Sequence, residues 1–224
     1  MNVTALSAAI HERLDESPAD PRYWTAAEVL AALNEAQRLF VFLTLAVERI
    51  ATLAIPAATP FSSVRTLIPD FMFPLRLSLA GARLRPARLS ELNALSRTWR
   101  ATAGTPARYS LLGLDLMAIT PQPTAGLPAG LTYAAEAAAL DSGDDVPEIP
   151  GSDHESLIDY AVYALRLKEG GQGLAESLPG LDRFLKAAAA RAAIVRARSR
   201  AMQYDTLPAE LKLADFSRQE RKPK

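Results

Sequence analysis

The residues that could do chemistry in this chain are acidic, and they cluster between positions 141 and 155. This stretch has no basic residue, and its six carboxylates are Asp141, Asp144, Asp145, Glu148, Asp153 and Glu155. Clustered carboxylates can bind a divalent cation, and His154 could serve as a general base beside them. The spacing does not match an EF-hand, and no nucleophile motif accompanies the histidine. We therefore predict a solvated loop at the start of a helix, with His154 on the surface.

An enzyme with an acidic metal site near Asp144, Asp145 and His154 is the less favoured alternative. The glycine-rich residues 170–173 resemble a phosphate-binding loop, but they lack the following Lys-Ser/Thr and come after a helix rather than a strand. We interpret them as a helix stop. The sequence thus predicts no catalytic, cofactor-binding or metal-binding residue.

Two basic zones stand out against a formal net charge of zero. Residues 65–108 contain eight arginines and two acidic residues, and residues 182–224 contain eleven lysines and arginines against five acidic residues. Arginine suits fixed, bidentate contacts with carboxylates or phosphates. No DNA-recognition helix or stacking platform is evident, so we favour protein contact. The hypothesis is a subunit interface in which arginines of one copy meet the acidic loop of a neighbour, formed by Arg83, Arg85, Arg88, Asp144 and Asp145.

Composition narrows the class of protein further. The chain has 224 residues with 49% hydrophobic content, which suits one domain with a dependent extension. It contains no cysteine, which excludes disulfides and thiolate chemistry, and its two histidines, His11 and His154, make a histidine metal cage improbable. The first residues lack the pattern of a signal peptide. The most apolar run, 39–47, is too short to span a membrane.

Helical periodicity predicts three long helices, over residues 25–51, 153–169 and 178–203, after a short helix over 3–15. The first long helix is apolar over most of its girth, which is typical of a core or interface helix.

Capping motifs mark the predicted helix starts. Thr25 and Glu28 have the spacing of a capping box, as do Ser152 and Glu155. Pro179 fits near the first position of the last helix, because the missing N–H costs least there.

Short apolar runs divided by prolines and glycines make residues 52–137 strand-rich. The predicted strands are Leu53–Ile55, Val64–Ile68, Leu75–Leu79, Arg108–Leu112, Leu114–Thr120 and Leu131–Ala135. The fourth and fifth form a hairpin near Gly113. Ser90 is the predicted N-cap of a short helix over about 90–99, with Trp99 packed on its inner side.

The predicted fold class is therefore α+β, a helical bundle with an antiparallel β-sheet region inserted between the helices and an extended C-terminal tail. We expect one domain over residues 1–203 and a tail over 204–224. The tail is polar but carries spaced apolar anchors, a composition that stays free or orders on a partner. These anchors are Leu207, Leu211, Leu213 and Phe216.

The order of several loose motifs resembles a known family. The motifs are Trp24 before the capped helix, LNEAQR at 33–38, LSEL at 89–92 leading to Trp99, GTPARY at 104–109, ITPQP at 119–123, LTY at 131–133, DDVPEIP at 144–150, Tyr160-Ala161 and LKE at 167–169. In this order they resemble the head-to-tail adaptor (connector) proteins of tailed bacteriophages, the class that includes podophage tail tubular protein A. The resemblance spans about residues 20–203.

The resemblance implies a virion structural protein at the head–tail junction, made in the host bacterial cytoplasm. Such adaptors form a ring, usually dodecameric, beneath the portal. They extend the channel through which double-stranded DNA passes without sequence-specific binding, and they dock a downstream tail or nozzle protein. The family supplies no catalytic residue and no cofactor. Another virion tail-completion or stopper protein remains an alternative.

Family members bind the portal largely through C-terminal segments. By this resemblance the tail carries portal binding here. The candidate portal-binding residues are Leu207, Leu211, Leu213, Phe216, Arg218 and Arg221.

Overall fold

A computed structural model describes residues 1–17 and 23–211, apart from the side chains of Gln172 and Leu174. It contains helices and mainly antiparallel strands, which confirms the α+β class. In chain order the elements are α1 (Val3–Arg13), α2 (Ala26–Thr44), β1 (Glu48–Ile55), β2 (Phe61–Ser63), α3 (Val64–Leu67), β3 (Phe71–Leu79), β4 (Ala82–Arg83), β5 (Arg85–Pro86), α4 (Leu89–Leu95), β6 (Arg108–Leu112), β7 (Leu116–Thr120), β8 (Leu127–Ala135), α5 (His154–Arg166) and α6 (Gly171–Ala201).

The chain divides into two compact units. Unit 1 comprises the described residues of Met1–Val47, Ala137–Arg196 and 208–211, and unit 2 comprises Glu48–Glu136 and Ala197–Leu207. Unit 1 is helical and unit 2 contains all the described strands. No helix within residues 1–17 and 23–211 has the length and hydropathy to cross a membrane.

Unit 1 is built around aromatic side chains of α2, α5 and α6. Phe184 is fully buried, with its ring centroid 5.9 Å from Phe40 and 4.8 Å from Tyr160. The start of α2 is fixed by the predicted capping box, in which Glu28 N–H donates to Thr25 Oγ1 and Thr25 N–H donates to the Glu28 carboxylate. This prediction is confirmed.

The predicted extent of the first long helix, 25–51, is wrong at its end. The helix ends at Thr44, and Leu45 takes a left-handed conformation with φ of 51°. Residues Glu48–Ile55 instead form β1, which pairs antiparallel with β8 along its whole length. The continued apolar spacing was compatible with a helix, but strand pairing determines the structure here.

The predicted starts of the last two long helices also need correction. A 3₁₀ turn, Gly151–Asp153, precedes α5, and Ser152 makes no capping hydrogen bond to the helix. The last helix begins at Gly171 rather than 178 and continues through Pro179. A turn at Gly170, with φ of 66°, separates α5 from α6 and agrees with the predicted stop.

Unit 2 contains two four-stranded sheets, with strand orders β1-β8-β3-β4 and β2-β7-β6-β5. All pairs are antiparallel except β5 with β6. The predicted hairpin is confirmed, because β6 pairs with β7 from Arg108↔Thr120 to Leu112↔Leu116. Trp99 packs with Leu92 and Ala118 in a small core, as predicted, but it lies after α4, which ends at Leu95 rather than at about 99.

Two local predictions in unit 2 are wrong. Residues 64–67 form a helical turn, α3, instead of a strand. The Asp115 carboxylate explains this, since it accepts the backbone N–H of Arg65 at 2.7 Å and the hydroxyl of Ser63. Ser90 lies inside α4 rather than capping it, because Glu91 accepts the N–H of Arg88 at 3.2 Å and the helix starts earlier.

Candidate partner-binding site

The segment after α6 is attached to unit 2 by its backbone and side chains. The Asp205 N–H donates to the carbonyl oxygen of Leu75 at 2.7 Å, and the hydroxyl of Thr206 donates to the carbonyl oxygen of Pro74. Arg83 donates to the carbonyl oxygen of Gln203. We call residues 203–206 the anchor segment. The first residues of the predicted tail are therefore part of the fold of unit 2.

A nearly buried carboxylate is central to the anchor segment. The side chain of Asp205 is 4% exposed, and it accepts hydrogen bonds from the Tyr109 hydroxyl at 2.8 Å and from Arg83 at 2.8 Å. Burial of Tyr109, with the charge and hydrogen bond of Asp205 beside it, raises the pKa of its hydroxyl. Charge-assisted hydrogen bonds of this kind are stronger than neutral ones.

A second carboxylate holds the same region. Glu48, at the start of β1, accepts hydrogen bonds from Arg198 at 2.9 Å and from the Tyr204 hydroxyl. Burial raises the pKa of Tyr204, and the hydrogen bond to Glu48 adds to the effect. Asp205 and Glu48 thus fix the chain at the end of α6 in unit 2.

The next residues are attached to unit 1. Arg196 donates to the carbonyl oxygen of Pro208 at 2.8 Å and lies 3.6 Å from the carboxylate of Glu210. Pro208 is buried, whereas the Glu210 side chain is 82% exposed. Described contacts therefore hold the chain as far as position 210.

The candidate portal-binding residues fall on both sides of the last described position. Leu207 is 39% exposed and Leu211 is half-buried. The other four lie outside the described residues, and they are Leu213, Phe216, Arg218 and Arg221.

The candidate subunit-interface residues have different surroundings. Arg83 is engaged by the anchor segment, whereas Arg85 and Arg88 are exposed and have no side-chain partner within the described residues. Asp144 is exposed. Asp145 accepts the N–H groups of residues 141 and 142, each at 2.8 Å, and these bonds lower its pKa. Their role in subunit contact stays a prediction.

The prediction of a surface His154 is wrong. This residue is 2% exposed, and its Nε2 lies 3.2 Å from the carbonyl oxygen of Ile149. The imidazole therefore faces inward at the start of α5. Within the described part of the chain, no three acidic or histidine side chains are grouped as a metal site.

Sequence reasoning missed the residues that hold the anchor segment. Asp205 and Tyr109 are 96 positions apart, and Glu48 and Tyr204 are 156 positions apart. Neither pair belongs to a motif. The available signal was an acidic residue, Asp205, flanked by Tyr204 and Thr206 in an otherwise polar stretch, which does not identify a partner.

Comparison with known proteins identifies the family of this chain. No curated protein matches it. The model of the SU10 adaptor protein family matches residues 1–212. This match agrees with the resemblance to head-to-tail adaptors, while the closer likeness to podophage tail tubular protein A stays a prediction. Because the match spans almost the whole sequence, the chain belongs to the SU10 adaptor protein family, a family of bacteriophage head-to-tail adaptors.

Proposed function

We propose that this adaptor assembles as a ring, dodecameric by the resemblance, beneath the portal and uses residues after Leu211 to bind the portal. The ring extends the channel for double-stranded DNA, without sequence-specific contact, and docks the next tail protein. The observation that carries the proposal is the fixed path of the chain through the anchor segment. Asp205, at 4% exposure, holds this path, so the following residues leave from a defined point.

Preorganisation gives this arrangement a physical advantage. A binding segment that leaves from a fixed point loses less freedom on binding than one attached to a free tail. Up to Glu210 the chain is already held by Arg196 and by the contacts of the anchor segment. The residues beyond it make the proposed contact with the portal, and their apolar anchors, Leu213 and Phe216, supply its buried area.

Truncation after Leu211 tests the portal-binding role. The shortened chain keeps the anchor segment, so it should unfold cooperatively at the same temperature as the full chain and lose portal binding in a pull-down. A second variant, Leu213→Asp with Phe216→Asp, should have the same effect. Substitution of Lys222 by Gln in the full chain is the control. Portal binding that survives both changes contradicts the proposal and favours a tail-completion or stopper role, tested with the tail proteins as partners.

A further inference from the structure

We propose that an arginine face on one copy binds the acidic loop of the next copy around the ring, a contact that rests on the ring proposed above. The arginine face is formed by Arg85 and Arg108 in unit 2, and Arg88 follows Arg85 by three residues in the sequence. The acidic loop consists of residues 141–145 in unit 1.

The arginine face has positive charges placed side by side. Arg85 on β5 is the register partner of Arg108 on β6, and the two strands are parallel. Partner residues on neighbouring strands are roughly 5 Å apart and point to the same face of the sheet. Like charges in this position repel each other. An anion between the two guanidinium groups relieves that repulsion and can accept bidentate hydrogen bonds.

No described side chain neutralises this face. Arg85 and Arg88 are exposed and Arg108 is half-buried, and none of the three has an ion pair within residues 1–17 and 23–211. The nearby Glu91 carboxylate accepts the N–H of Arg88. Tyr109, next to Arg108, points to the opposite face of β6, where its hydroxyl donates a hydrogen bond to Asp205.

The acidic loop is held by hydrogen bonds and presents carboxylates that have no partner among the described residues. The Thr4 N–H donates to the Gly143 carbonyl oxygen at 2.9 Å, and Asp145 closes the loop on the N–H group of Asp141 at 2.8 Å. A Cβ at Gly143 would lie 2.5 Å from Thr4 Oγ1, so the loop packs closely on α1. The exposed carboxylates of Asp141 and Asp144 have no partner among the described residues.

A second copy fits both surfaces better than DNA does. The chain carries no net charge, yet it presents a basic face without described ion pairs on unit 2 and a hydrogen-bonded acidic loop on unit 1. Two different patches that complement each other form a heterologous contact, which closes into a ring when the rotation is right. Arginines in fixed bidentate geometry suit a permanent carboxylate contact. A channel that lets DNA pass needs no such fixed contact.

Charge reversal and rescue test this contact on the assembled complex with the portal. The first variant combines Arg85→Glu with Arg108→Glu, the second combines Asp141→Arg with Asp144→Arg, and a third carries all four changes. Arg97→Glu with Arg200→Glu is the charge control, since both side chains are exposed and neither has an ion pair within the described residues. Thermal unfolding checks that each variant is folded. Native mass spectrometry then counts the copies bound to each portal as the protein concentration rises.

The two double variants should still bind the portal singly, but the concentration that fills half of the ring should rise at least about tenfold. The four-fold variant restores opposite charges and should return to near the wild-type value, as should the control. The proposal is overturned if only the arginine variant fails to fill the ring, the four-fold variant does not restore filling, and the arginine variant binds less double-stranded DNA than wild type. In that case the arginine face binds DNA phosphates. Unchanged filling in both double variants also overturns it. Wild-type protein that never binds the portal instead overturns the proposed function.

Discussion

The hydroxyl of Tyr109 donates a hydrogen bond of 2.8 Å to the carboxylate of Asp205. Tyr109 lies on β6, and Asp205 follows α6, so the bond joins the C-terminal segment to the second sheet of unit 2. Arg83 completes the site from β4. This arrangement makes the start of the C-terminal segment a structural part of the adaptor, and it gives the proposed portal-binding residues a fixed origin.

Removing the Asp205 charge should weaken unit 2. Asp205→Asn leaves Tyr109 and Arg83 without a charged acceptor, and a hydrogen bond to a charged group contributes about 1.5–3 kcal/mol. We expect the free energy of unfolding to fall by about that amount in denaturant titrations. Tyr109→Phe should lower the free energy of unfolding by less than Asp205→Asn does, because Arg83 still pairs with the carboxylate. The double variant should cost less than the sum of the two single variants.

An additive double variant would show that the two side chains do not interact in solution. Asp144→Asn is the matched control, since its exposed carboxylate has no partner in the described chain. This control should change the free energy of unfolding by less than about 0.5 kcal/mol.

The capping box of α2 should make stability depend on acid. Hydrogen bonds from Lys168 and then from Thr25 lower the pKa of Glu28 from 4.5 to about 2. Because the folded pKa lies below the unfolded one, the stabilisation is fully present above pH 4.5 and is lost as the pH falls towards 2. The difference in melting temperature between wild type and Glu28→Gln should therefore shrink over that interval.

The partner of Glu28 provides the matching variant. Lys168→Gln removes the largest cause of the lowered pKa, so its melting temperature should show a weaker acid dependence in the same interval. A Glu28→Gln difference that stays constant from pH 6 down to about 2 would contradict the assigned hydrogen bonds.

Two glycines of α6 should respond oppositely to alanine. A Cβ at Gly180 would lie 2.9 Å from the backbone carbonyl oxygen of Asp159, whereas at Gly173 it would meet the flexible end of the Glu169 side chain. Within a helix, alanine is more favourable than glycine by about 1 kcal/mol. Gly173→Ala should raise the free energy of unfolding by up to that amount. Gly180→Ala should lower it, because overpacking costs about 1–3 kcal/mol.

The measurement is the denaturant midpoint of both variants side by side. Equal stabilisation by the two substitutions would show that α5 and α6 do not approach as closely as the distance at Gly180 requires.

The small core beneath α4 should be sensitive to truncation. Leu92 is fully buried, with an exposed fraction of 0%, and it packs with Trp99. Leu92→Ala should lower the free energy of unfolding by about 2–5 kcal/mol. Leu95, on the same helix, is 58% exposed, and its change to Ala should cost less than about 0.5 kcal/mol. Equal effects would contradict the orientation of α4.

The sequence predicted elements that depend on local rules. The capping box at Thr25, the hairpin at Gly113 and the inward side of Trp99 each follow from neighbouring residues. The error at the end of the first long helix arose because a distant strand determines the structure there. Glu48–Ile55 is a strand because β8 lies beside it, and its own apolar spacing is equally compatible with a helix.

In the candidate site, too, the sequence predicted local features but not contacts between distant residues. Charge patterns located Arg85 and Asp144 as exposed residues, because runs of like charge are usually at the surface. They did not show that Arg83 and Asp145 are used inside the fold, since Asp205 and the loop N–H groups are brought to them by tertiary packing.

Electron microscopy of this protein mixed with the portal encoded in the same genome tests the central claim most directly. We predict a ring of this protein seated on the narrow end of the portal, and the image gives the copy number. Folded protein that leaves the portal bare at saturating concentration would contradict the proposed function, which requires the ring to form on the portal.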